Sequence, residues 1–367
     1  MLKRLLVLLF IPFFLSGCAH QKQEELTFSS WGSVSEVKIL KNTIKDFETE
    51  NPDIKIRFIH IPQNYFQKIH LLFASNTAPD VIFINNLYLP VYESKLEDLS
   101  NLVTKQDFYP QAIEGLSYQG KILAIPRDIS DLVFYVNKDM LKQYRIDFPK
   151  ESWSIADLTE IAQKVSKNGK FGISYEDDIY WALPYINYFG GEILSPNGEI
   201  IISTEKSQKG MDFYKSLKNS GFAPTKAQVG SSTLAQMFLN EQICFYMSGH
   251  WMFPKINETA KFDWAVINFP YGEKPLSGDA SGWAISKNSS HKESAYKFIQ
   301  YLSSKKYIDS FADTGLIVPA RIDVSQKLNN EKHNEKIFIK VINHSKPTPV
   351  NKNYRKLTDE INMKSNF

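Results

Sequence analysis

The sequence predicts an α/β fold with mainly parallel sheets. Strand-like and helix-like patterns alternate from residue 26 onward, and 367 residues are enough for two lobes with cores of their own. The alternation opens with Leu26-Thr27-Phe28, a strand ending at Ser29-Ser30-Trp31-Gly32-Ser33. Val37, Leu40, Ile44 and Phe47 then recur at helical spacing. Asn51-Pro52-Asp53 stops that helix, and Ile54, Ile56, Phe58 and Ile59 make the next strand. A helix from Tyr65 to about Ser75 and a buried strand over Asp80–Ile84 complete the first units. Strand, helix, strand in this order implies right-handed crossovers.

Beyond Lys121, Ile122–Pro126 and Leu132–Val136 read as strands flanking Arg127–Asp131. Ser154 is placed to cap a helix that begins near Trp153. Gly190-Gly191 and Pro196-Asn197-Gly198 mark turns. Helices are expected over 204–219, 231–240 and 291–304, and strands over 242–247, 264–267 and 283–286. No fixed period repeats, and no segment is of low complexity.

The N-terminus has a separate task. Lys3 and Arg4 precede an apolar run, Leu5–Leu15, too short for a membrane span, and small residues close it at Leu15-Ser16-Gly17-Cys18. This describes an export signal over 1–17, and the tetrapeptide resembles the lipobox of bacterial lipoproteins, in which the cysteine is lipidated. Residues 18–25 are polar and form a tether between lipid and folded body. Without residues 1–17 the chain carries 41 basic against 40 acidic side chains. That balance provides no field for nucleic acid or for an anionic membrane surface. With Cys18 acylated, Cys244 has no partner; it sits in the apolar run Ile243–Met247 and reads as an inert buried thiol.

Several stretches, in order, resemble the family-one extracellular solute-binding proteins of bacterial ABC importers. They are LTFSSWG (26–32), APDVIFIN (78–85), GKILAIPRDISDLVFYVNKDML (120–141) and Trp153–Val165, followed by NYFGGEIL (187–194), FLNEQICFYMSGHW (238–251), SGWAISKNSSHKESAYKFIQYL (281–302) and DTGLIVPAR (313–321). The chain departs from the family at Ser29 and Ser30, where a second aromatic or histidine is common, and at Asn240-Glu241-Gln242. The resemblance implies a two-lobed periplasmic-binding-protein type II fold with three crossing segments, at 128–130, 279–281 and 313–320. One lobe would take 26–127 with 282–312, and the other 131–278 with 321–367. It further implies a monomer that binds a sugar between its lobes and delivers it to membrane permease subunits, held by its lipid on the extracytoplasmic side of the cell membrane.

A sugar offers hydroxyls at its edge and apolar C–H faces, so its site needs flat aromatic rings beside polar groups. Ligands of open α/β sheets sit beyond the carboxyl ends of strands, which draws attention to Trp31 and Asn86. The bland alternatives are a core tryptophan and simple turn chemistry around Asn85-Asn86. The resemblance puts Asp128 on the cleft floor, where it would otherwise pair with Arg127 or a backbone amide. It also matches Tyr180 and Trp181 to a stacking aromatic upstream of the double glycine; neighbours on a helix face apart, so one of them belongs to the core. Trp251 follows a strand and a small-residue turn, where the family carries a stacking tryptophan. Trp283 follows Gly282 at the second crossing. Arg321, beyond Pro319, could donate a fork of hydrogen bonds or simply lie on the surface.

No cofactor is expected. The histidines lack metal-ligand spacing, and Gly-x-Ser-x-Gly, His-Glu-x-x-His and phosphate-cradling glycine loops are missing. Within the same fold, a glycerol phosphate held by Arg127 and Arg321, or an iron complex held by Tyr185 and Tyr188, remain alternatives. Outside it stand a hydrolase using Glu176 with Asp177 or Asp178, and a ligand-free scaffold.

Overall fold

The computed structural model describes residues 23–365 and 367. The export signal of 1–17 and the lipidation expected at Cys18 lie outside these residues. The first strand, β1 (Glu24–Ser30), starts two residues earlier than its apolar pattern suggests. Glu24 and Glu25, expected in the tether, instead pair with Ile54 and Lys55 of β2 (Ile54–His60). Their charges are met at the sheet margin: Glu25 by Arg57 at 2.9 Å, Glu24 by His291 and Ser294.

Between these strands runs α1 (Val34–Glu50), started by a capping box in which Ser33 Oγ accepts from the Glu36 amide and Glu36 Oε2 from the Ser33 amide. Its buried face is Leu40, Thr43, Ile44 and Phe47. A second helix, α2 (Tyr65–Ala74), leads to β3 (Val81–Asn85). β1 is parallel to both β2 and β3, as crossover units require.

The sheets are otherwise mixed, which corrects the expectation of mainly parallel ones. Within the first sheet, ordered β10-β4-β9-β3-β1-β2, β9 (Leu276–Ile285) runs antiparallel to both β3 and β4 (Ile125–Ser130), and β10 (Val318–Pro319) runs antiparallel to β4. The short β11 (Ser345–Pro347) lies parallel to the first residues of β9. The second sheet is ordered β8-β5-β7-β6 from β5 (Val133–Asn137), β6 (Phe171–Ile173), β7 (Ile243–Ser248) and β8 (Trp264–Asn268), and only β6 and β7 are parallel. The cause is topological. Strands that arrive from the other sheet, without a helical crossover behind them, are not bound to the common direction. Asp131 and Leu132 alone separate β4 in one sheet from β5 in the other.

Each sheet carries its own aromatic core. Phe28, Phe83, Trp283 and Phe298 interlock on the first, and Phe134, Trp153, Phe245 and Phe269 on the second. Cys244 is fully buried and burial pushes its thiol up, in keeping with an inert side chain. Helix α3 (Ile179–Tyr188), N-capped by Asp178, packs through Tyr185 on Phe269 of the second sheet's core and also contacts β9. α4 (Lys305–Ala312) flanks the first, and the turn Ile322–Ser325 packs on α4. Tyr109 reaches Ser325 at 2.7 Å, so the chain stays beside the first sheet for some residues past 321. A last helix, α5 (Tyr354–Lys364), touches both α3 and the segment after β3.

Candidate functional site

A crevice of about 250 Å³ opens where the two sheets meet. Trp31, just past the end of β1, and Trp251, just past the end of β7, are both on its lining. Glu36, Arg127–Ser130, His250, Ser281 and Leu316–Val318 form the rest. A larger hollow, about 730 Å³, lies by Glu24, Asn51–Ile54 and Ser289–Ser294, at the starting ends of β1 and β2. Open α/β sheets bind at the finishing ends, which favours the crevice.

The two tryptophans are held differently. Trp31 is half-buried, with its ring 4.2 Å from Phe83, 4.9 Å from Tyr65 and 5.3 Å from Phe66. Trp251 keeps 40% of its surface open. Its backbone is set by His250, which is buried, stacks on Phe253 and bonds Glu335 through Nε2 at 3.0 Å. Burial pushes the Glu335 carboxyl up, but His250 and the Asn330 amide outweigh it and hold the group below its usual range.

Arg127 carries the charge of the crevice wall. Its guanidinium lies 4.0 Å from the Phe83 centroid and 4.6 Å from that of Phe311, with Nε donating to Asp128 Oδ2 at 2.7 Å and Nη2 lying 3.8 Å from Glu36. Burial alone would lower its affinity for its proton; Asp128 and Glu36 more than offset this, and it stays a cation. Asp128 thus lines the crevice and pairs with Arg127 at once.

Three sequence expectations need correction. Trp283 is fully buried, 5.4 Å from Phe28 and 4.6 Å from Phe83. It lies mid-strand because β9 begins at Leu276, well before the expected 283. Asn86 is also buried and uses its amide within the protein, donating to Asp279 Oδ1 and accepting from the Ala280 amide, each at 3.2 Å. Arg321 is largely covered and spent on Asp107 (3.2 Å) and Asp323 (3.1 Å), outside the crevice lining. Tyr180 and Trp181 stand edge to face, centroids 5.8 Å apart, both half-buried and outside the crevice lining; Tyr180 faces Asp279.

Glu36, Ser130, His250, Ser281 and Leu316–Val318 were not singled out from sequence. The serines and the Leu316–Val318 run fall inside the expected crossing segments, and Glu36 is the fourth residue of a Ser-x-x-Glu cap, signals that could have been used. A further hollow of about 410 Å³ at the finishing end of β6 is lined by Tyr175–Asp178, Pro224, Lys226 and Val229–Gly230, among others. Burial, with Asp177 and Asp178 nearby, pushes Glu176 up. Tyr185, one of the two tyrosines of the iron alternative, is fully buried against Tyr214 and Phe269.

Residues 31–308 match the model of a family described as bacterial extracellular solute-binding protein. The chain belongs to that family. Among curated members, the galactooligosaccharide-binding protein of Bacillus subtilis is 23% identical over 80% of this chain and 74% of its own. The maltodextrin-binding protein of the same organism is 24% identical over 83% and 75%. Among solved structures, an ABC substrate-binding protein from Listeria monocytogenes in complex with cycloalternan superposes with a TM-score of 0.83, at 24% identity over 94% of this chain and 93% of its own. The GacH receptor of Streptomyces glaucescens reaches 0.80, at 22% identity over 94% and 92%. This family consists of two-lobed binding proteins rather than enzymes, and this chain shares the two-lobed fold.

Proposed function

We propose that this family member is the lipid-anchored, extracytoplasmic receptor of an ABC importer, and that it binds a sugar or oligosaccharide in the crevice between its lobes. The observation that carries the reading is that Trp31 and Trp251, from strands of different sheets, line one crevice with Asp128, Ser130 and Ser281. Rings suit the C–H faces of a sugar and the polar groups suit its hydroxyls. The relatives named for galactooligosaccharide and maltodextrin support the same ligand class. A phosphate ligand is less well served, because Arg127 and Arg321 are already engaged by carboxylates.

In this reading the lobes are 26–127 with 282–312 and 131–278 with most of 321–367, crossing at 128–130, 279–281 and 313–320. Ligand contacts to both lobes favour a closed state, which the permease recognises. Cys18 carries the lipid, and the working unit is a monomer. A thermal-shift screen of maltodextrins, galactooligosaccharides, polyols, glycerol phosphate and ferric complexes tests the ligand class. A ligand at a hundredfold excess over its dissociation constant adds roughly 3 kcal/mol of stability. A shift with glycerol phosphate or iron and none with any carbohydrate would overturn the proposal.

A further inference from the structure

Two buried acids occupy the junction of the sheets, outside the crevice. Asp131 stands in the two-residue link between β4 and β5, and Asp279 lies on β9 opposite Ser130. Asp131 is 4% exposed and Asp279 9%. Asp279 is well supplied: Asn86 Nδ2 donates at 3.2 Å, Thr348 Oγ1 at 3.0 Å, and the Tyr180 hydroxyl faces it.

Asp131 has no such supply. Both carboxyl oxygens are buried without a hydrogen-bond partner. Ser345 is near, but its hydroxyl donates to the Ile342 carbonyl at 3.2 Å. A Cβ on Gly278 would stand 2.5 Å from Asp131 Oδ1 and 3.2 Å from Ser345 Oγ, so β9 and β11 close tightly over the carboxyl. The titratable groups around it are Asp279 on β9, Tyr180 on α3 and Tyr271 in the loop before β9, with His344 stacked on Tyr271 at 4.1 Å and Tyr354 of α5 beyond Asp279. None of the ion pairs among the described residues includes either aspartate. An ionised Asp131 would be a desolvated charge beside a second carboxylate.

We propose that Asp131 binds a proton in the lobe arrangement seen here and releases it to water when the lobes turn and the junction hydrates, so that lobe orientation follows pH. The groups enclosing Asp131 come from β9 and β11 of the first sheet, from the β4–β5 link that joins the two sheets, and from α3, which packs through Tyr185 on Phe269 of the second sheet's core. Rotation of one sheet against the other must therefore loosen the enclosure. Only a proton moves, between the carboxyl and bulk water. Burial, with Asp279 adding to it and Ser345 opposing, pushes Asp131 up to about 7, which sets the window near neutrality.

Small-angle X-ray scattering of the ligand-free protein at about pH 5 and about pH 9, on either side of that window, tests the proposal. The low-pH curve is expected to fit this lobe arrangement and the high-pH curve to depart from it, with a midpoint near 7. Asp131→Asn, neutral at every pH, is expected to hold the low-pH curve throughout. Identical wild-type curves, or a variant that shifts like the wild type, would overturn the idea. Infrared spectroscopy of the wild type at about pH 6 gives a second readout that needs no variant. A buried protonated carboxyl band that disappears toward high pH is expected, and a spectrum without one also overturns the proposal.

Discussion

The six-membered ring of Trp251 lies against the α-carbon of Gly249, so that a methyl group at Gly249 would overlap Cζ3, Cε3 and Cη2 of the indole. The glycine is what allows the ring to fold back over its own turn while leaving one face to the crevice. Trp251→Ala is expected to weaken binding of the sugar identified by thermal shift by about 1–3 kcal/mol. Because the ring is 40% exposed, the folding stability should move much less. Gly249→Ala displaces the ring without deleting it and should weaken binding in the same direction. Calorimetric titration of both variants checks this; unchanged affinity in both removes Trp251 from the site.

Trp283 provides the opposite case. Its full burial among Phe28 and Phe83 means that Trp283→Ala should cost about 3–5 kcal/mol of stability. The folded fraction of that variant should bind sugar with wild-type affinity. Urea denaturation and titration on one preparation distinguish the two tryptophans.

Arg127→Met removes the cation between Phe83 and Phe311 and leaves Asp128 and Glu36 facing each other with no counter-charge. Loss of one member of a buried pair costs about 3–5 kcal/mol, and denaturant midpoints should fall accordingly. The double variant Arg127→Met with Asp128→Asn should recover part of this loss, because the stranded charge is gone.

Asp131 sets the sign of one pH effect on stability. Its carboxyl is raised in the folded chain to about 7, so between about pH 4 and that value the folded state binds more protons than the unfolded one. Stability therefore falls as pH rises through this window, and the loss is complete above it. At about pH 8, Asp131→Asn should exceed the wild type by up to about 4 kcal/mol, and the gap should close toward about pH 4. Denaturant titrations at both pH values check it.

Cys18→Ala should release the protein from membranes or leave residues 1–17 uncleaved. Fractionation and the mass of the N-terminal peptide check both; unchanged processing and attachment count against the lipid anchor.

Much of the fold was legible because strand and helix periods are local. Leu26–Phe28, Ile54–Ile59 and Ile243–Met247 each declared a strand by apolar pattern, and each is one. Strand direction was not legible, since the antiparallel placement of β4 and β9 depends on partners far along the chain. Trp31 and Trp251, singled out because each follows a strand end, both line the crevice. It was misread at Trp283, whose burial depends on how far β9 extends through the polar run Ser277–Ser281. Whether a polar group such as Asn86 or Arg321 is free or engaged is decided by residues far away in sequence, Asp279 and Asp107 respectively.

The link between β4 and β5 has one mechanical consequence. From Ser130 to Val133 the chain takes three Cα steps, a reach of about 11 Å at full extension. There is no slack for the sheets to drift apart. Their relative motion is confined to turning about this short tie, much as covers turn about a spine. Asp128, Ile129 and Ser130 sit beside that spine and travel little, so under the proposed closure a solute in the crevice would meet its floor already in place, with only the walls left to come to it.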